Sequence, residues 1–221
     1  MKNIYLDCET TGLTPGNICQ LTTITEDSGK IVDAKNYFFT VNYITDGAAK
    51  LLNRDVEFYR KASNGLAFNS YADEIFEKLN NNIVIGHNVK FDINFLSTEL
   101  WRQNKVLKLA GSADTMLETK DLIKIPAKNK KYGIYKNPKL TEMAEYFNIE
   151  DSQIIKLIDK LFEKDNSENS YHDSRYDTTV TFVCLNILRE IKSGKAGYWS
   201  ETFRTPGTFD VTGRKIETIT L

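Results

Sequence analysis

A change of rhythm near residue 46 narrows what this chain can fold into more than any other feature. Residues 3–8, 18–26 and 31–41 are rich in β-branched and aromatic side chains, with turn signals between them at Thr14-Pro15-Gly16 and Asp27-Ser28-Gly29. They predict three strands joined by hairpins. After Asp46 the spacing turns helical, and residues 71–79 carry Ile75, Phe76 and Leu79 at helical intervals before the apolar run Ile83-Val84-Ile85, closed by Gly86. A helix feeding a buried fourth strand is expected there. Residues 91–101 line up Phe91, Phe95, Leu96 and Leu100 on one stripe, and residues 109–114 supply a short fifth strand before another helix. Strands followed by alternating helix and strand imply an α/β fold, a mixed five-stranded sheet flanked by helices.

Residues 140–147 and 154–162 read as two further amphipathic helices, the second running into a polar loop over 163–170. From 174 to 191, Val180, Val183, Cys184, Ile187, Leu188 and Ile191 predict a long helix. A turn at Thr212-Gly213 would pair Asp210 with Lys215 and Phe209 with Ile216 in a C-terminal β-hairpin. The expected division is a main domain over 1–192 and a C-terminal extension over 193–221.

Composition removes several classes. No apolar run approaches the roughly 18 residues that cross a bilayer, and the N-terminus lacks a secretory pattern, so a cytoplasmic protein without a membrane partner is expected. Three cysteines without metal spacing indicate neither a disulfide framework nor a zinc site. Lys plus Arg number 29 against 30 for Asp plus Glu, so any attraction to a phosphate backbone has to be local. One local candidate is residues 128–139, KNKKYGIYKNPK, where lysines alternate with Tyr132 and Tyr135. This is either a surface that follows phosphates and stacks bases or a solvated loop.

Three segments carry the chemistry. In the first strand Asp7 and Glu9 are two positions apart, so the pleat puts both carboxylates on one face about 7 Å apart, with Cys8 on the other. Such a face can hold hard cations, although an isolated Asp-x-Glu also occurs where a strand end meets solvent. The following Thr10-Thr11-Gly12 offers hydroxyls, backbone donors and a flexible residue to an approaching nucleotide terminus. In the second segment, IGHNVKFDINFL, Asp92 falls near the start of a helix, where an acid also simply complements the dipole. His87 and Asn88 at the strand's mouth cap that helix, orient a neighbour or touch substrate. In the third, YHDSRYDTTVTF, His172 precedes Asp177 by five positions, placing an imidazole that titrates near neutrality beside a carboxylate on a helix.

Together, YLDCETTGL, GHNVKFDINFL and HDSRYD resemble, in order and wording, the three motifs of the DnaQ-like (DEDD) exonucleases, the family of the proofreading ε subunit of DNA polymerase III. A histidine five residues before the last acid resembles the DEDDh branch. The resemblance implies a ribonuclease H-like fold and two Mg²⁺ (or Mn²⁺) ions, with Asp7 bridging and Glu9, Asp92 and Asp177 completing their shells. It also implies His172 as general base, and terminal-nucleotide contacts from Thr10, Thr11, Gly12, His87, Asn88 and Phe91. The activity implied is 3′-to-5′ exonucleolysis of single-stranded DNA ends to nucleoside 5′-monophosphates, in replication proofreading or repair, with a DNA polymerase as possible partner. An exoribonuclease of the same family, or a silent nucleic-acid-binding module, is the alternative; every acid and the histidine being present disfavours the silent module. Where the family often has a Gly-Ile pair that wedges between bases, this chain reads Leu52-Asn53-Arg54-Asp55-Val56, and no wedge residue is assigned.

Overall fold

The early alternation resolves into an antiparallel three-strand unit in the computed structural model, which describes residues 1–129, 133–162 and 172–195. Strand β1 (Asn3–Thr10) pairs with β2 (Ile18–Asp27) from Asn3↔Glu26 to Thr10↔Ile18, and β2 pairs with β3 (Lys30–Phe38). The β2–β3 hairpin closes on Asp27↔Lys30 around Ser28 and Gly29. Both have positive φ, 50° and 81°, and this backbone twist matches that of the flanking strands. β3 stops short of the expected residue 41 because Thr40 turns its N–H to Leu66 O, leaving the sheet.

The helical stretch after Asp46 is two helices, α1 (Asp46–Leu52) and α2 (Val56–Ala62). Asn53 ends α1 in the left-handed region at φ 51°, and the Asp55 carboxylate starts α2 by accepting the Phe58 N–H. A 3₁₀ turn, Phe68–Tyr71, leads into α3 (Ala72–Leu79) and then β4 (Ile83–Gly86), which runs parallel to β1. Helix α4 (Val89–Arg102) connects to β5 (Gly111–Asp114), parallel to β4, and α5 (Thr115–Ile123), α6 (Leu140–Tyr146), α7 (Asp151–Leu161) and α8 (Ser174–Ser193) follow. The sheet order is β3-β2-β1-β4-β5, the mixed five-stranded sheet that the sequence predicts.

Alternation along β1 assigns the two layers. Ile4, Leu6 and Cys8 pack with Val84 against α3 and α4, while Tyr5 joins Ile24 and Ile85 against α6, α7 and α8. Leu6, wholly buried in the first layer, is the kind of position where truncation to Ala costs about 2–5 kcal/mol. All three cysteines are buried free thiols. Among the described residues no helix is long and apolar enough to cross a membrane. The expected loop over 163–170, the C-terminal hairpin and Lys130, Lys131 and Tyr132 of the basic cluster lie outside the described residues. Of the rest of that cluster, Tyr135 bridges to Pro126 and Lys136 pairs with Glu142.

Candidate active site

The site grows from a mismatch in strand length. β4 last pairs with β1 at Tyr5↔Ile85, whereas β1 stays paired with β2 as far as Thr10. Beyond Tyr5, one edge of the central strand is therefore open. The Cys8 N–H on this stretch donates to Asp92 Oδ1 at 2.9 Å, a bond made by the first turn of α4. Asp92 is buried, satisfying a backbone donor that a longer β4 would have used.

On the opposite face of β1, Asp7 and Glu9 meet Asp177 from the first turn of α8. One carboxylate oxygen from each lies within 4.8 Å of the other two. Glu9 is buried and Asp7 partly so, and the buried Asp177 Oδ1 has no hydrogen-bond partner. The other oxygen, Oδ2, faces the His172 N–H at 3.4 Å. Thr22, the cross-strand neighbour of Asp7, meets the Ser174 hydroxyl at 2.6 Å and so seats the start of α8 on the sheet.

Burial, with the charge of Asp173 added, pushes the Asp7 carboxyl up to about 7. Burial likewise holds Glu9 and Asp177 well above the usual carboxylate range, reinforced by Asp7 in both cases, with Arg54 opposing at Glu9 and the His172 amide at Asp177. Asp92 is raised by burial and by Asp7, against the Cys8 amide. Ionising four acids in this setting is costly unless a cation joins them. The orphaned Asp177 oxygen and the all-carboxylate donor set fit a hard divalent cation such as Mg²⁺ or Mn²⁺.

The remaining predicted residues divide. His172 is exposed in the turn before α8, at the left-handed φ of 67°. Thr10 Oγ1 donates to Gly12 O, and Thr11 is locked between Asn17 O and the Thr45 N–H, so this loop is built from its own bonds. His87 uses one ring nitrogen with Thr115 Oγ1 and the other with Pro138 O, both at 3.1 Å, which orients a neighbour rather than caps α4. Asn88 caps α4 by a left-handed backbone, φ 65°, with no side-chain bond. Phe91 packs on Phe95 with ring centroids 4.5 Å apart. The structure thus gathers Asp7, Glu9 and Asp177 in one cluster, sets Asp92 beside it on the Cys8 amide, and leaves His172 at its rim.

Sequence reasoning missed Asp173. Its buried carboxylate accepts from Arg175 N, Nε and Nη2 (2.9, 2.9 and 2.8 Å), Arg54 Nη2 (2.6 Å) and Gln20 Nε2 (3.3 Å). The arginines hold its pKa below the usual range despite burial. An Asp directly before a helix start is a legible N-cap, but its long-range partners are not.

Residues 4–154 match the family profile described as RNase T, exonuclease. The chain belongs to this exonuclease family. The chain is also similar to the ε subunits of DNA polymerase III from Rickettsia conorii (28% identical over 137 residues) and Rickettsia felis (29% over 131). Each match covers 55% of this chain and 56% of the relative, so the chain spans little more than half the length of these proteins. Among solved structures, E. coli exonuclease I in complex with a 5cy-dA13 oligonucleotide superposes with TM-score 0.61 at 15% identity, over 87% of this chain and 40% of that one. Exonuclease X in complex with 5′ overhanging duplex DNA gives 0.58 at 16%, over 88% and 95%. At such identities the likeness establishes the ribonuclease H-like fold shared with these exonucleases. The RNase T profile ends before His172 and Asp177, so it is the proximity of Asp177 to Asp7 and Glu9 that ties the third segment to the first.

Proposed function

We propose that this RNase T-family chain is a divalent-metal-dependent 3′-to-5′ exonuclease acting on single-stranded DNA ends and releasing nucleoside 5′-monophosphates, in a proofreading or repair setting. The observation that carries the reading is the convergence of Asp7, Glu9 and Asp177, with one buried Asp177 oxygen left without a partner.

In this reading Asp7, Glu9, Asp92 and Asp177 would hold two Mg²⁺ or Mn²⁺ ions. When bound, such cations acidify a water and neutralise charge on the phosphate and its leaving 3′ oxygen. His172, exposed at the rim, takes the proton of the attacking water. Thr10, Thr11, Gly12, Asn88 and Phe91 border the terminal nucleotide, with His87 fixing the wall behind them. Residues 1–192 form the catalytic unit and 193–221 an extension. Docking onto a polymerase, suggested by the names of the Rickettsia relatives, belongs to the same proposal.

The test uses purified protein with 5′-labelled single-stranded DNA or RNA, in Mg²⁺, Mn²⁺ or EDTA. A ladder shortening from the 3′ end of DNA, in either metal and not in EDTA, is the expected result. Faster shortening of RNA would move the substrate to the ribose polymer; no ladder on either polymer in any metal would overturn the reading.

A further inference from the structure

We infer that Arg54 is a positioning residue for the proposed reaction: by anchoring Asp173 from the connection between α1 and α2, it fixes the turn that presents His172. The inference rests on the exonuclease reading above and adds to it a residue from outside the three acidic segments.

Arg54 sits between α1 and α2, in a connection fixed on one side by the left-handed Asn53 and on the other by the Asp55 cap. Its guanidinium lies 4.8 Å from the Phe58 ring centroid and 5.9 Å from that of Phe38, a stacked placement that favours Arg over Lys. From there one nitrogen reaches Gln20 Oε1 at 2.9 Å and another Asp173 Oδ2 at 2.6 Å. Gln20 is the cross-strand partner of Glu9 and also donates to Asp173 Oδ1, so Arg54, Gln20 and Asp173 close a ring beside the carboxylate cluster. The ion pair is almost fully buried, at 8% and 1% side-chain exposure.

Asp173 directly follows His172, which occupies a left-handed conformation and points its own N–H at Asp177 Oδ2. A residue so placed needs its neighbours held. Arg175 holds Asp173 from a position in α8. Arg54 ties the same carboxylate to a separate part of the fold, and so sets where the turn stands relative to β1.

The chain has two histidines, so imidazole NMR signals report His172 separately from His87. In Arg54→Met we expect the His172 signals to shift or broaden while those of His87 stay put, and kcat on single-stranded DNA to fall about tenfold with KM nearly unchanged. In a His172→Ala background the same substitution should cost less than about twofold, the non-additivity of residues acting as one unit. Arg54→Lys, with charge but no fork, should fold if Met does not and lose about threefold with the same pattern. Unmoved His172 signals, or an equal loss in the His172→Ala background, would overturn the assignment. Should wild-type protein cleave nothing, the exonuclease reading falls, and the NMR comparison still decides whether Arg54 positions His172.

Discussion

Asp173 and Asp177 stand four residues apart at the start of α8, both enclosed by protein, and their chemistry diverges. Asp173 accepts five donors from Arg54, Arg175 and Gln20, and its pKa lies below the ordinary value. Asp177 has one oxygen with no partner, two acidic neighbours, and a pKa well above it. Burial costs both carboxylates the same kind of hydration. The first recovers it from fixed cations of the fold; the second is left wanting a charge that the fold does not provide. That difference separates a carboxylate that stabilises structure from one that, on the proposed function, is prepared for a mobile ion.

Substituting on the unsatisfied side gives the largest expected effect. Asp7→Asn should lower turnover by at least roughly 10³-fold while raising the melting temperature of metal-free protein at about pH 8 by a few degrees, since a repulsive charge is removed. Rate assays paired with thermal melts in EDTA check it, and a drop in melting temperature would erase the distinction. On the satisfied side the sign reverses. Asp173→Ala removes the carboxylate that two buried guanidinium groups share and should cost about 3 kcal/mol in denaturant unfolding, metal or not. A neutral outcome would show that Arg54 and Arg175 find other partners.

The smallest effect is the dependence on pH. A carboxyl raised from 3.8 to about 7 binds more protons folded than unfolded between those values, so its contribution is full below 3.8 and is lost as pH rises through about 7. Glu9, Asp92 and Asp177 shift in the same direction. Asp173, being lowered, contributes fully above 3.8 and loses that contribution only under more acidic conditions. Metal-free protein should therefore melt a few degrees lower at about pH 8 than at about pH 5.5, and Mg²⁺ should raise the melting point more at the higher pH. Equal melting points at the two pH values would mean that the cluster is relieved in some other way.

The two sides of the comparison were not equally legible in the sequence. Asp7 and Glu9 can be read because a strand's period of two guarantees their common face. Asp177 and His172 are legible through resemblance to three ordered motifs, and the structure brings Asp177 to within 4.8 Å of Asp7 and Glu9. Asp92 was visible as an acid near a helix start, but its bond to Cys8 depends on β4 ending early, a feature of sheet register that local pattern does not encode. The Arg54–Asp173 pair was hidden for a related reason. Its members are 119 positions apart, and the break that frees Arg54 lies in a stretch whose spacing reads simply as helical. Local rules find elements and faces; they do not say which distant cation meets which acid.

The left-handed backbone at His172 brings stability and chemistry into opposition. Glycine would relieve a conformational cost of about 1 kcal/mol at φ 67°, and asparagine would sit there comfortably, yet neither can accept a proton near neutral pH. Engineering this chain for heat tolerance by repairing unfavourable dihedrals would thus pick out His172 early, and on the proposed mechanism would yield a sturdier protein that no longer cuts.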